Sequence, residues 1–306
     1  MPAGGCAALW AGRRELHGAD WVGVSPREAE RLTEGRGATL EGHQEREQEA
    51  ALAGRQEINN AAAPATPGAW AVALDAARVR FGDGWHDVKA GVVFWAEPQW
   101  EGSGLAGGKA TAQSYVAETG PMEEAGERLY REAVRRGIDP AEDLVVCLGD
   151  GAPANWSQFG LHFPRRVEAL DWYHAVEHLW AAARDRLGED SVQAEAWVAA
   201  RKEELWAGDV GAVLTALRSG EGESEAHYFE TNEHRMRYAE FRARGYPIGS
   251  GTVESACKRV IGARLKQAGM RWSKAGAQAV LNLRSHLLSG RWDAVWPLTR
   301  PQLTPA

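Results

Sequence analysis

The 306-residue sequence predicts an α/β fold, because strand-like and helix-like segments alternate along its middle part. Residues 69–76, AWAVALDA, alternate large apolar and small residues, which predicts a half-buried strand. Residues 144–148, LVVCL, are continuously apolar, as expected of a strand that is buried on both faces. Between them, residues 121–138 begin with proline and acids and end with bases and a glycine, which predicts a helix.

The composition places the chain among ordinary globular proteins. With 44% hydrophobic and 25% charged residues, it can bury a sizeable core. The apolar run at 6–10 is short and is followed by two arginines, so we expect neither a signal peptide nor a membrane span, and a cytoplasmic protein. Cys6, Cys147 and Cys257 form no CxxC pair, which disfavours a disulfide framework or a cysteine-only zinc site.

The charge of the chain is unevenly distributed. The formal net charge is −7, yet from Glu254 onward nine Lys or Arg residues face two acids, a net of +7. The rest of the chain, with 26 bases and 40 acids, has a net charge of −14. A basic segment on an acidic body indicates a polyanion-binding surface or simply a solvated helix face, and charge alone does not choose between them.

Residues 1–67 are expected to form a polar helical appendage that ends in a linker. Ser25 and Pro26 mark a helix start, and Gly35 and Gly37 are expected to divide the following helix into two pieces. The segment AAAPATPG, 61–68, predicts the linker, because its prolines interrupt both the helical and the strand period. The other expected elements are a hairpin turn at 82–84, strands at 111–117 and 167–170, a helix capped by Asp171, helices throughout 188–245, and helices at 252–266 and 275–288.

Three acids are candidates for chemistry. Asp75 lies near the end of the first predicted strand, Asp150 lies in a Gly-Asp-Gly turn after the buried strand, and Glu254 follows a Gly-Ser-Gly turn within a basic segment. Ligands of open α/β sheets gather at the carboxyl ends of strands, and glycines allow a close approach to the backbone. The structural alternatives are an aspartate in a tight turn and a glutamate that complements a helix dipole.

Asp171, His174 and His178 are spaced to lie near one face of a helix. Residues 174–178 also match the H-x-x-E-H pattern of inverted zinc peptidases. In that hypothesis the two histidines bind zinc, Glu177 activates water, and a distant acid such as Glu254 completes the ligand set. Ordinary packing with solvated charge is the alternative for a helix of this composition.

Three segments together resemble a known family. GDGA at 149–152, ALDWYHAVEHLW at 169–180 and YPIGSGTVESACKRVIGARLKQAGMRWS at 246–273 resemble transposases of bacterial insertion sequences of the ISKra group, relatives of the Mutator-like DDE transposases. The resemblance extends over about 69–296. It implies an RNase H-like fold, a mixed sheet with flanking helices, with catalytic core at 68–187, an all-helical insertion at 188–245, and the last part of the core at 246–306.

The resemblance also assigns the site. It implies that Asp75, Asp150 and Glu254 hold two Mg²⁺ or Mn²⁺ ions, and that Asp171 and His174 orient the site or the DNA. The implied reactions are nicking at an element end and attack of the freed 3′-hydroxyl on target DNA, in a homo-oligomer that is nucleoid-associated when bound. The implied DNA-binding residues, with Trp272 as a base-stacking platform, are Lys258, Arg259, Arg264, Lys266, Arg271 and Trp272.

Two departures from the family pattern qualify the resemblance. Ala76 follows Asp75 where the family has glycine, which leaves Asp83 and Asp87 as alternatives for the first acid. The family carries a zinc-binding and helix-turn-helix region before the core, and this chain has only what resembles the tail of that region, near VSPREAERLTEGRG at 24–37, so we expect a truncated or remnant transposase. Three hypotheses therefore stay open: an active metal-dependent transposase, a zinc peptidase, and an inactive remnant that binds DNA.

Overall fold

The structure, a computed structural model, describes residues 26–53, 64–101, 104–189, 191–219, 223–249, 251–293 and 295. Five strands form a single mixed sheet in the order β3-β2-β1-β4-β5. The strands are β1 (Ala69–Phe81), β2 (Gly84–Glu101), β3 (Gly104–Glu118), β4 (Val145–Gly149) and β5 (Arg166–Leu170). The predicted α/β class is confirmed.

Helices precede, flank and interrupt the sheet. A 3₁₀ turn lies at Glu233–Arg235, and a π-helical segment at Cys257–Gly262 continues directly from the helix before it. The α-helices are α1 (Pro26–Leu52), α2 (Met122–Arg135), α3 (Pro153–His162), α4 (Trp172–Leu187), α5 (Val192–Ala207), α6 (Val210–Arg218), α7 (Glu223–Asn232), α8 (Tyr238–Ala243), α9 (Gly251–Ala256), α10 (Ala263–Leu265) and α11 (Lys274–Leu288).

The sheet combines an antiparallel half with a parallel half. β1 and β2 form the predicted hairpin, in which Phe81 pairs with Gly84 across a two-residue turn, and β2 pairs with β3 in the same sense. β4 pairs in parallel with β1 on one side and with β5 on the other. All five residues of β4 are buried, as its apolar run predicts. The carboxyl ends of β4 and β5 therefore meet at one edge of the sheet, beside the middle of β1.

Helices cover both faces of the sheet. On one face, the side chains of Leu74, Val116 and Leu129 fill the space above Gly91, so that α2 packs closely on β1, β2 and β3. The π-helical segment covers the other face, where the Cys257 thiol reaches Asp75. Successive residues of a strand face opposite ways, so Leu74 is committed to the core and Asp75 is directed to the second face.

The first helix belongs to the body of the protein. α1 runs without interruption through Gly35 and Gly37, so the predicted division into two helices is wrong. Gly37 lies against the backbone of Ala279 in α11, where a Cβ would be 2.3 Å from the carbonyl oxygen. This close contact outweighs the helix-breaking tendency of glycine. In the expected linker, residues 64–68 are non-helical, whereas 61–63 lie outside the described residues.

The predicted helices of 188–245 are present as α5 to α8, within the described residues 191–219 and 223–249. They stand between the end of α4 and the segment that leads to Glu254. We call residues 188–245 the helical insertion. In the part of the chain that the structure describes, we find no helix that combines the length and the apolar character needed to cross a membrane.

Candidate active site

Asp75 and Asp150 lie side by side on neighbouring strands. The parallel register pairs Ala73 with Leu148, and each aspartate follows its paired residue by two positions. Both side chains are half-buried. Asp75 was expected near the end of its strand; it instead lies within β1, which continues to Phe81 along β2. β4 and β5 both stop at this level, and their ending opens the space beside β1 into which Asp75 and Asp150 are directed.

Asp75 is a partly desolvated carboxylate. Burial raises its pKa, and the neighbouring charge of Asp150 raises it further. Two hydrogen bonds to its oxygens oppose this effect, one from the Ala76 N–H at 2.7 Å and one from the Cys257 thiol. The positive charge of His174 opposes it as well. A cation beside Asp75 would offset both the cost of burial and the repulsion from Asp150.

Asn155 in α3 connects the two aspartates. The side chain is only 2% exposed, and its Nδ2 donates both to Oδ1 of Asp150 at 2.9 Å and to the carbonyl oxygen of Leu74 at 3.1 Å. Oδ1 of Asp150 also accepts from the Ala152 N–H at 2.9 Å. One buried amide thus fixes the distance between the Asp150 carboxylate and the backbone next to Asp75.

Tyr228 in the helical insertion contacts the Gly-Asp-Gly turn from the other side. Its hydroxyl donates to the Asp150 carbonyl oxygen at 2.9 Å. Its ring lies over Gly151, which has a φ of +99° and where a Cβ would be 2.7 Å from the ring. Glycine is needed here on both counts, since other residues rarely adopt this φ and have no room for their side chains.

Asp171 and His174, the predicted orienting pair, lie at the same edge of the sheet. Asp171 is fully buried, its N–H donates to the Gly149 carbonyl at 2.8 Å, and its carboxylate caps α4 through the N–H of Tyr173 at 2.6 Å. Its Oδ2 lies 3.6 Å from Nδ1 of His174, an ion-pair distance. The Asp171 carboxylate raises the pKa of His174 to about 9 against the effect of burial, and Asp150 adds to the shift. The ion pair therefore favours the protonated form of His174.

Glu254 stands apart from the two aspartates. It is in the short helix α9, its side chain is 54% exposed, and its Oε1 forms an ion pair with Lys258 Nζ at 2.5 Å. Three residues later, the Cys257 thiol reaches Asp75. Burial raises the pKa of that thiol, and the charges of Asp75 and Glu254 raise it further, so it stays protonated and can donate. Glu254 thus lies within electrostatic reach of the site but does not touch it.

Within the described residues, no group of three His, Cys, Asp or Glu side chains is arranged to hold a metal ion. The structure brings Asp75 and Asp150 together and leaves Glu254 paired with Lys258. Two of the three predicted acids, Asp75 and Asp150, therefore lie together, and the third does not join them.

Basic residues follow Glu254 along the last helices, and we call the exposed ones the basic surface. Four of the predicted DNA-binding cations are exposed, while Arg264 is half-buried and donates from Nη1 to the Ala263 carbonyl. Burial lowers the pKa of nearby Arg284 to about 10, and the charges of Arg264 and Arg259 contribute to the decrease. The exposed members are Lys258, Arg259, Lys266 and Arg271.

Trp272 is packed in the core, which is the alternative to the role of a base-stacking platform. The side chain is only 8% exposed, and its indole N–H donates to the Leu265 carbonyl at 3.2 Å. Its backbone carbonyl accepts from the Gly82 N–H at 3.1 Å, which attaches the segment before α11 to the end of β1. A base cannot stack on a ring that is already packed on the core.

The alternatives for the first acid lie elsewhere. Asp83 is in the turn of the β1–β2 hairpin and pairs with His86 at 2.9 Å, and Asp87 in β2 pairs with Arg78 at 3.1 Å. β4 pairs with only the first part of β1, so neither acid lies beside Asp150. The geometry favours Asp75.

The two histidines of the H-x-x-E-H pattern are both engaged with carboxylates. Nδ1 of His178 lies 2.6 Å from Oε2 of Glu225, and its ring stacks on Tyr228 at a centroid distance of 3.5 Å. Nδ1 of His174 faces Asp171, a contact that occurs both in plain ion pairs and in histidines that bind zinc through Nε2. Glu177, the residue that would activate water, is exposed. The described residues thus show ion pairing and packing at this pattern, and no group of three His, Cys, Asp or Glu side chains among them is arranged to hold a metal ion.

Sequence reasoning missed three residues of the site: Asn155, Tyr228 and Cys257. Asn155 could have been found, since it is in the first turn of the helix that follows the Gly-Asp-Gly turn. Tyr228 gives no signal in the sequence, because its contact with Asp150 spans 78 residues. No protein-family model matches this chain, and no curated protein sequence matches it.

Proposed function

We propose that this chain is the catalytic core of a DDE-type DNA transposase with an RNase H-like fold. The mixed sheet, the helices on both of its faces and the helical insertion before Glu254 all support that fold. The observation that carries the proposal is the position of Asp75 and Asp150 side by side at the edge where β4 ends. The resemblance to ISKra-group transposases names the same two residues.

The two aspartates fit a divalent cation such as Mg²⁺ or Mn²⁺. Their ligand atoms are carboxylate oxygens, which these cations prefer, and within the described residues neither aspartate forms an ion pair with Lys or Arg. Burial and the neighbouring charge of Asp150 raise the pKa of Asp75, and a bound cation would offset both effects. Glu254 fits as a third ligand only after it leaves Lys258. When bound, such ions activate an attacking hydroxyl and stabilise the leaving oxygen of a phosphodiester.

The residues of the chain have distinct tasks in the proposed reaction. Asn155 and the Ala152 N–H hold the Asp150 carboxylate, and the Cys257 thiol holds that of Asp75. His174 presents Nδ1 to Asp171, so its protonated Nε2 is the atom that can donate to a phosphate oxygen. The protonated His174 thus stands beside the carboxylates of Asp75 and Asp150. A site that binds a metal ion and a phosphate together needs both kinds of charge.

The proposed substrates are the DNA ends of an insertion element and a DNA target. The basic surface would contact phosphates and so position the strand over the aspartates. The first reaction is hydrolytic nicking, and the second is attack of the freed 3′-hydroxyl on target DNA. Two ends must be held together for strand transfer, so we propose a homo-oligomer that is associated with the nucleoid when bound to DNA.

The test is a nicking and strand-transfer assay on DNA that carries candidate element ends, with Mg²⁺ or Mn²⁺. We expect Asp150→Asn and Glu254→Gln to abolish nicking while DNA binding, measured by fluorescence anisotropy, persists. Asp83→Asn is the matched control, since Asp83 is exposed in the hairpin turn. Equal nicking by the natural chain and by Asp150→Asn would refute the proposal.

One observation favours a second candidate, a DNA-binding protein without cleavage activity. Glu254 is paired with Lys258 and does not join the aspartates. That candidate predicts no nicking with any metal but salt-sensitive DNA binding. Lys266→Ala or Arg271→Ala would then each weaken binding and lower the slope of log K against log salt by about 1.

A further inference from the structure

We infer that Tyr228 is a positioning residue for Asp150, and that the helical insertion thereby sets the cation affinity of the aspartate pair. The inference rests on the proposed function, because it assigns to the insertion a task in the same site. The ligand that Asp150 helps to hold is a divalent cation.

The Asp150 residue is held from two opposite sides. From within the sheet domain, Asn155 and the Ala152 N–H both bind Oδ1 of its carboxylate. From the insertion, the Tyr228 hydroxyl binds its backbone carbonyl. Among the described residues, no hydrogen bond engages Oδ2, so the second carboxylate oxygen is the one that remains for a ligand.

The turn needs this support because glycines flank it. Gly149 and Gly151 have no side chains to restrict the backbone, and Gly151 has a positive φ that glycine reaches without cost. The Tyr228 ring occupies the space over Gly151, and its hydroxyl fixes the orientation of the peptide between residues 150 and 151. A turn that is mobile by composition is thus held in one conformation.

Tyr228 is itself anchored on several sides. Its ring stacks on His178 at an interplanar angle of 20° and contacts the edge of fully buried Phe229. Its backbone carbonyl accepts from Nδ2 of Asn232 at 3.0 Å. The position of the hydroxyl is therefore determined by packing, as expected of a group that orients a ligand-holding residue.

A second contact fixes α7 to the sheet. Oδ1 of Asn232 accepts from Nη1 of Arg235 at 2.9 Å, and Nε of Arg235 donates to Glu168 in β5 at 2.6 Å. The same guanidinium lies 4.3 Å from the ring centroid of Trp156, which packs against Gly149. The insertion thus contacts the neighbourhood of Asp150 at two separate points.

The test measures Mn²⁺ binding to the full chain by electron paramagnetic resonance, in the absence of DNA. We compare the natural chain with Tyr228→Phe, which removes only the hydroxyl, and with Asp150→Asn. Tyr130→Phe is the matched control, because the Tyr130 ring stacks on His162 at the far end of α3. We expect Asp150→Asn to abolish Mn²⁺ binding and Tyr130→Phe to leave it unchanged. Tyr228→Phe should weaken Mn²⁺ binding about 10-fold, because a residue that orients a metal ligand typically contributes that much to metal affinity.

A second measurement separates positioning from general stability. Mg²⁺ demands near-ideal octahedral geometry, so the nicking defect of Tyr228→Phe should be larger with Mg²⁺ than with Mn²⁺, while DNA affinity stays unchanged. If Asp150→Asn abolishes Mn²⁺ binding and Tyr228→Phe leaves it unchanged, the inference is overturned and the proposed function stands. Equal weakening by Tyr228→Phe and Tyr130→Phe also overturns it. If Asp150→Asn leaves Mn²⁺ binding unchanged, the proposed metal site fails as well.

Discussion

Removing the Asn155 amide should affect both the stability of the protein and the geometry of its aspartate pair. Asn155→Ala deletes one hydrogen bond to the neutral Leu74 carbonyl and one to the charged Asp150 carboxylate. The first contributes about 1 kcal/mol and the second about 1.5–3 kcal/mol, so the variant should lose about 3 kcal/mol of unfolding free energy. Because the side chain is 2% exposed, water does not replace these bonds.

The loss of stability is measured by thermal unfolding in EDTA, monitored by circular dichroism. At roughly 2–4 °C per kcal/mol for a chain of this size, Tm should fall by about 6–12 °C. Nicking, measured at a temperature at which all variants are folded, should fall about 10-fold or more, because Asp150 loses a bond that fixes its carboxylate.

Asn282→Ala provides the matched control for the Asn155 experiment. Asn282 is a second buried asparagine, 3% exposed, in α11, where its Oδ1 accepts from Gln278 at 2.9 Å and its Nδ2 lies 3.5 Å from the Gly37 carbonyl. It should lower Tm but leave nicking unchanged. If both variants lost nicking equally, or if Asn155→Ala nicked at the natural rate, Asn155 would have no specific part in the site.

Two further predictions concern pH. Burial and Asp150 raise the pKa of Asp75, so the ionised form of Asp75 lowers the stability of the fold at neutral pH. Asp75→Asn should therefore raise Tm at pH 7 in EDTA, and the gain should shrink as the pH falls toward about 4. The control Asp83→Asn should show no such gain. Asp171 raises the pKa of His174 to about 9, so its ion pair stabilises the fold fully below about pH 6.5 and is lost as pH rises through 9. The Tm difference between the natural chain and His174→Gln should follow that profile, and a pH-independent difference would contradict it.

Local patterns were sufficient to predict most of the elements. The continuous apolar run of β4, the glycine turn of the β1–β2 hairpin and the Asp171 cap of α4 depend on neighbouring residues, and each is present in the structure. Helix α3 was not predicted from the sequence, because its ten residues include a proline and a glycine and show no clear helical spacing of apolar residues. The π-helical segment has no established sequence signal.

The errors arise where distant parts of the chain meet. Gly37 continues a helix because α11 approaches its backbone, and Trp272 is buried because the strand end at Phe81 packs beside it. For the site, sequence could select Asp75 and Asp150 as candidates, but it could not predict that β1 continues past Asp75 or that the Tyr228 hydroxyl reaches Asp150 from the insertion. Nor could sequence predict that Glu254 would be paired with Lys258.

The π-helical segment determines how the acid and the bases of the last helices are oriented relative to one another. Such a segment holds one residue more than the α-helix it replaces, and each residue of a helix turns the next by about 100°. The segment Cys257–Gly262 absorbs that extra residue within its wider turn. Substitutions that restored regular α-helical winding without removing a residue would therefore rotate Arg264 and Lys266 by about 100° around the axis relative to Glu254. All the basic residues would remain in the chain, but their direction relative to Glu254 would change, so the π-helical segment sets that direction.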